Sequence, residues 1–71
     1  MIEYIPWAGL FRVSVGGTVK DFDTDQIDEA RMFLWHSLME SPQHNMTYGG
    51  AETAATNAAE SAYSDYDQHG R

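Results

Sequence analysis

The chain has 71 residues and no cysteine, and its eleven acidic and four basic residues give a formal net charge of -7. Without cysteine it forms neither a disulfide nor a thiolate metal site. Its charge repels nucleic acid and anionic membranes and attracts basic protein surfaces. Aromatic residues make up 13% of the chain, which is typical of folded rather than disordered acidic sequences, so we expect one small domain over residues 1–71.

The first predicted element is a β-hairpin in which apolar and polar residues alternate around Gly16 and Gly17. A two-residue loop at these glycines fixes the register of both strands. On the solvated side of the hairpin, Arg12 then faces Asp21. The side chains that share the opposite, core-facing side are Phe11, Val13, Val15 and Phe22. The segment from Ile2 to Ile5 is a candidate third strand whose pairing the sequence leaves open.

A helix is predicted to begin after Asp23, which can act as its N-cap with Gln26 as the reciprocal partner of a capping box. The helix should end at Glu40 or Ser41, because Pro42 disfavours a helical conformation in the residue before it. Its apolar residues at helical spacing form a stripe that would cover the hairpin. These residues are Ile27, Ala30, Leu34 and Leu38.

Three further large apolar residues, Met32, Trp35 and Met39, widen the apolar arc of this helix to one side. One face of a sheet cannot cover so wide an arc. Either a second element of the same chain packs on these residues, or they form a homodimer or docking face.

The C-terminal segment from about Gly50 to Tyr66 is rich in alanine and predicts a second helix. Small residues on one face would let the two helices approach closely, and they are Ala51, Ala55, Ala58 and Ala62. The other side presents a polar, negative ridge of Glu52, Thr56, Glu60, Tyr63 and Asp67. The predicted fold is therefore α+β, with an N-terminal antiparallel hairpin packed on two α-helices.

Two patterns have the residue types of metal sites. Asp21, Asp23 and Asp25 resemble the start of a calcium loop, but Gln26 replaces the required glycine and Met32 replaces the bidentate glutamate. Capping and the helix dipole explain these acids without a metal.

His36, Glu40 and His44 have the spacing of zinc ligands on one helix face, but Pro42 interrupts the helix before His44. We therefore expect no metal and no cofactor.

Catalytic signatures are missing from the sequence. It has no paired nucleophile and base and no glycine-rich phosphate loop, and a domain of this size is expected to have little room for a pocket of several hundred cubic ångströms. We expect no enzymatic activity. No window is apolar enough for a membrane span and no signal peptide precedes the domain, which predicts a cytoplasmic protein without membrane contacts.

The acidic residues are unusual in their distribution, because no lysine or arginine occurs between Met32 and Gly70. Solvated protein faces normally mix both signs of charge. Carboxylates on rigid helices can imitate a row of phosphates and bind the cationic surface of a nucleic-acid-binding protein. A role in solubility alone is the alternative interpretation.

In size, acidity, lack of cysteine and order of strands and helices, the chain resembles small bacteriophage proteins that disable host defences or host enzymes, including anti-CRISPR proteins and DNA mimics. The segment from Val19 to Ala30 is similar to the strand-to-helix junction of many small domains and indicates a structural unit only. The resemblance implies a non-enzymatic inhibitor, located in the host cytoplasm, that binds a basic nucleic-acid-handling protein.

We predict that acidic residues and two tyrosines contact this partner: Asp25, Asp28, Glu29, Glu52, Glu60, Tyr63, Asp65, Tyr66 and Asp67. The competing hypothesis is a small structural or assembly protein that acts through the face formed by Met32, Trp35 and Met39.

Overall fold

The computed structural model describes residues 1–41 and 46–69. An antiparallel sheet of three strands, ordered β1-β2-β3, opens the chain, and two α-helices follow it. This arrangement confirms the predicted α+β fold. The elements are β1 (Ile2–Ile5), β2 (Leu10–Val15), β3 (Thr18–Asp23), a single 3-10 turn (Thr24–Gln26), α1 (Ile27–Glu40) and α2 (Tyr48–Gln68).

The β2–β3 hairpin has the predicted register, with Phe11 opposite Phe22. Gly16 and Gly17 form the loop at φ angles of 56° and 82°, in the left-handed region that glycine enters without steric cost. Strand β1 pairs antiparallel with β2, so Ile2 lies opposite Val13 and the pairing that the sequence left open is settled.

The helical segment begins after Asp23 as predicted, but its first turn is the 3-10 turn and α1 itself starts at Ile27. Its end and its buried stripe are the predicted ones. The side-chain oxygen of Gln26 accepts a hydrogen bond from the backbone N–H of Asp23 at 3.0 Å. After Glu40 the backbone of Ser41 is extended, with ψ at 122°, as expected for a residue that precedes proline. The predicted stripe faces the sheet: Ala30, Leu34 and Leu38 are buried and Ile27 is half-buried against the core.

Helix α2 is longer than predicted, because it begins at Tyr48 rather than near Gly50 and continues past Tyr66 to Gln68. Thr47 caps it, with the hydroxyl oxygen accepting a hydrogen bond from the N–H of Gly50 at 3.1 Å. Its buried residues are Ala51, Ala55, Ala59 and Ala62, whereas Ala58 is half-buried. Ala58 thus packs at the edge of the core rather than at its centre, and Ala59 takes the buried position.

One hydrophobic cluster joins the inner face of the sheet to both helices. Phe11 and Val13 at its centre are fully buried. The ring of Tyr66 closes the cluster on the β1 side, where its centroid lies 5.3 Å from that of Tyr4 and 5.9 Å from that of Phe11. Within residues 1–41 and 46–69, neither helix has the length and apolar character needed to cross a bilayer.

Candidate partner-binding groove

The fold separates the charges of the chain between its two layers. All eleven acidic side chains are exposed. On the sheet, Arg12 pairs with Asp21 at 2.8 Å, and the Nζ atom of Lys20 lies 5.2 Å and 5.3 Å from the ring centroids of Phe22 and Phe33. Arg12 thus has its partner on the sheet, and Lys20 lies close to one ring of the sheet and one ring of α1. The two helices contain most of the acids and a single cation, Arg31.

An open groove of about 510 Å³ runs between the N-terminal half of α1 and the C-terminal half of α2. Its charged and aromatic side chains are Asp28 and Arg31 from α1 and Glu60, Tyr63 and Asp67 from α2. We refer to it as the interhelical groove. We expected little room for a pocket of this size in so small a domain, and the structure places this space in an open groove between the two helices rather than inside the core.

Small residues of α2 between its larger ones leave space for the interhelical groove. Thr56, Ala59 and Ser64 line it, and Ala59 is buried at its base next to the half-buried Ile27. Small side chains leave space between two helices that larger side chains at the same positions would fill. The groove therefore has an apolar base and acidic walls.

The spacing of the acids on α2 follows from helical geometry. Glu60 and Asp67 are seven residues apart, so they lie on the same side of the helix and about 10 Å apart along its axis. A DNA duplex carries about six phosphates over that length. The groove thus offers far fewer charges than a duplex. It is better suited to bind individual cationic side chains than to bind a partner's surface that is shaped to follow a phosphate backbone.

The structure brings four of the predicted contact residues together in the interhelical groove: Asp28, Glu60, Tyr63 and Asp67. The remaining acids lie elsewhere on the surface. Asp25 belongs to the 3-10 turn, and Glu29 accepts a hydrogen bond from the side-chain amide of Gln26 at 3.1 Å. On α2, Glu52 and Asp65 point about 80° and 140° away from Glu60 around the helix axis.

The two predicted tyrosine contacts have different environments. Tyr66 is half-buried and packs on the core, whereas Tyr63 is 38% exposed and lines the groove. Their ring centroids are 5.6 Å apart with the rings at 70°, an edge-to-face contact. Tyr66 therefore packs against the ring of Tyr63 from the side of the core and leaves part of that ring open to the groove.

No family model, curated protein or solved structure matches this chain. The chemistry of its surfaces is therefore the guide to its function.

The second predicted interaction face, formed by Met32, Trp35 and Met39, is mostly packed within the protein. Trp35 and Met39 are half-buried against the core, and the Trp35 ring meets the ring of Tyr48 at a centroid distance of 4.9 Å. Met32 is 45% exposed. Helix α2 thus covers much of the apolar arc that the sequence assigned either to packing within the chain or to a partner.

Two features of the surface, the positions of Trp7 and Arg31, escaped the sequence interpretation. Trp7 is 86% exposed in the β1–β2 turn, where the N–H groups of Ala8 and Gly9 donate to the carbonyl oxygen of Ile5 at 3.2 and 2.8 Å. The proline before Trp7 and the glycine two residues after it are turn signals that could have placed this ring at a tip. The other missed residue, Arg31, gave no signal, because its position in the groove depends on how the helices pack.

In the part of the chain that the structure describes, no three His, Asp or Glu side chains are placed so that they could hold a metal ion. Asp21 is hydrogen-bonded to Arg12, and this bond lowers the pKa of the Asp21 carboxyl. His44 of the zinc pattern lies outside the described residues, as does Pro42.

Proposed function

We propose that the protein is a non-enzymatic inhibitor that binds the cationic surface of a basic, nucleic-acid-handling protein through its helical layer. The observation that carries this proposal is the interhelical groove, in which carboxylates from both helices and an exposed tyrosine line one open surface. The resemblance in size and acidity to small bacteriophage proteins that disable host defences, including anti-CRISPR proteins and DNA mimics, supports the same proposal.

The electrostatics of the chain favour this kind of encounter. A net charge of -7 on a protein of 8.0 kDa creates a field that steers a basic partner towards it and accelerates association. Screening weakens this attraction over about 10 Å at 0.1 M salt. The association rate is therefore expected to fall steeply as salt is added.

A pair of triple variants tests the role of the groove. The first, Asp28→Asn with Glu60→Gln and Asp67→Asn, removes the groove carboxylates. The matched control, Asp25→Asn with Glu29→Gln and Asp65→Asn, removes three charges elsewhere on the same two helices and their entry turn.

A partner is first captured from bacterial lysate on the immobilised protein, eluted with salt and purified. We expect the groove variant to bind this partner at least tenfold more weakly than the wild-type protein, and the control variant to lose much less. If both variants lose affinity equally, net charge alone explains binding and the groove has no special role. An affinity that stays flat from low to high salt contradicts the proposal as a whole.

The assembly hypothesis keeps one supporting observation, the exposure of Met32 beside the half-buried Trp35. A homodimer or docking contact there would need Tyr48 as well, whose side chain is 64% exposed and touches Trp35. This surface contains methionine and aromatic residues, which are enriched at interfaces. Sedimentation of the wild-type protein and the variants described in the Discussion tests it.

A further inference from the structure

We propose that the interhelical groove receives an arginine side chain of the partner and discriminates against lysine. The guanidinium group would lie over the exposed part of the Tyr63 ring, between the groove carboxylates. This inference rests on the proposed function in one respect, namely that the partner is a cationic protein.

The dimensions and lining of the groove suit one long cationic side chain. Its volume of about 510 Å³ falls within the range of about 300 to 1,000 Å³ that is usual for clefts that bind a discrete group. The apolar base formed by Ile27 and Ala59 can cover the methylene stem of arginine or lysine, both of which bury their stems along apolar surface. The carboxylates of Asp28 and Glu60 then compensate the charged end.

The preference for arginine comes from Tyr63. Its ring is held edge-to-face by Tyr66 and is 38% exposed, so a preordered aromatic surface faces the groove. A guanidinium group stacks on aromatic rings, is weakly hydrated, and makes paired hydrogen bonds to carboxylates. A lysine ammonium is a more strongly hydrated point charge and loses more hydration in such a place.

Arg31 opposes the incoming side chain. It is half-buried and lines the groove, so its guanidinium places a positive charge where the partner's cation must enter. One like-charge contact at about 6 Å in water weakens binding by about threefold. Removing this charge should therefore strengthen binding of any cationic group in the groove.

The experiment titrates the full-length, isotope-labelled protein with two blocked synthetic peptides and follows its amide resonances. The peptides, Gly-Arg-Gly-Arg-Gly and Gly-Lys-Gly-Lys-Gly, have equal length and charge. We expect the arginine peptide to shift the resonances of Tyr63 and Ala59, leave that of Trp7 unchanged, and bind at least threefold more tightly than the lysine peptide.

Three variants separate the contributions. Tyr63→Leu should bring the ratio of the two affinities close to one, and Arg31→Gln should raise both affinities about threefold. Lys20→Gln changes the net charge by the same amount as Arg31→Gln but acts on the sheet, and it should leave both affinities nearly unchanged. Circular dichroism verifies that each variant is folded.

Equal affinities of the two peptides, with shifts in the groove, would overturn the arginine preference and leave the binding of a basic partner standing. Shifts confined to residues outside the groove, or no binding of either peptide at millimolar concentration, would overturn the groove as the receptor. The proposed function fails by a different result, namely equal binding of the purified partner to the two triple variants, so the two failures are distinguishable.

Discussion

The guanidinium group of Arg12 donates hydrogen bonds to both carboxylate oxygens of Asp21, at 2.8 and 3.3 Å, from one strand of the sheet to the next. The hydrogen bond is the main reason why the pKa of Asp21 is lowered and that of Arg12 is raised. A carboxyl whose pKa is lower in the folded state stabilises the fold above its unfolded-state pKa. This contribution disappears as the pH falls through the lower, folded-state value.

We therefore expect Asp21 to titrate below the ordinary range of aspartate, and Arg12→Gln to bring its pKa back up. Carboxyl carbon chemical shifts measured against pH give this value directly. Lys20→Gln is the control, because it removes a neighbouring charge but no hydrogen bond to Asp21. An Asp21 pKa that is the same in wild type and Arg12→Gln would contradict the assignment of the shift to this pair.

The cap of α2 gives a second prediction. Thr47→Ala removes the hydroxyl that accepts from the N–H of Gly50, and it should lower the free energy of unfolding by about 1 kcal/mol. Urea denaturation followed by circular dichroism measures the change. Thr47→Ser keeps the oxygen and should lose only a small part of this stability, so similar losses in the two variants would mean that the cap contributes little.

The hairpin loop gives a third prediction. Gly16 has φ at 56°, and a Cβ atom there would meet only the Ser41 hydroxyl oxygen at an ordinary 3.7 Å. The cost of a side chain is thus set by the backbone. Asparagine tolerates the left-handed region, so Gly16→Asn should be nearly neutral, whereas the β-branched Gly16→Val should cost about 1 to 2 kcal/mol. Thermal unfolding distinguishes the two variants. An equal loss of stability in both would point to a steric cause instead.

A fourth prediction concerns the face formed by Met32, Trp35 and Met39. Trp35→Ala should destabilise the monomer by about 2 to 3 kcal/mol, because the ring packs on the core and on Tyr48. Met32→Ala, at an exposed position, should change stability by less than about 0.5 kcal/mol. Unfolding curves and sedimentation velocity are measured together. A wild-type dimer that Met32→Ala dissociates without unfolding would favour the assembly hypothesis.

Local signals in the sequence were enough to predict the first half of the fold. The two glycines of the hairpin loop and the alternation around Phe11 fix one register, since a shift by one residue would expose the aromatic ring. Asp23, Gln26 and Pro42 likewise mark the ends of α1 by interactions within a few residues. Each of these predictions depends on neighbours in the chain, and each agrees with the structure.

The second half of the fold depends on contacts between residues that are distant in the sequence. Alanines occupy so many positions of α2 that their pattern spans a wide arc, and no single facing direction stands out. Packing on α1 and against Tyr4 fixes the rotation that buries Ala59 rather than Ala58. Because the interhelical groove is lined by Ala59 and Tyr63 in that rotation, its existence and the presence of Arg31 in it were beyond prediction from sequence.

The contact between Tyr4 and Tyr66 joins the first strand to the last turns of α2. Closing so long a stretch of chain carries an entropic cost that local contacts avoid. Contacts of this kind typically form late, after the hairpin and α1 have already assembled. Weakening the pair, for example by Tyr66→Leu, should therefore accelerate unfolding more than it slows folding, which makes this aromatic contact a determinant of how long each folded molecule survives.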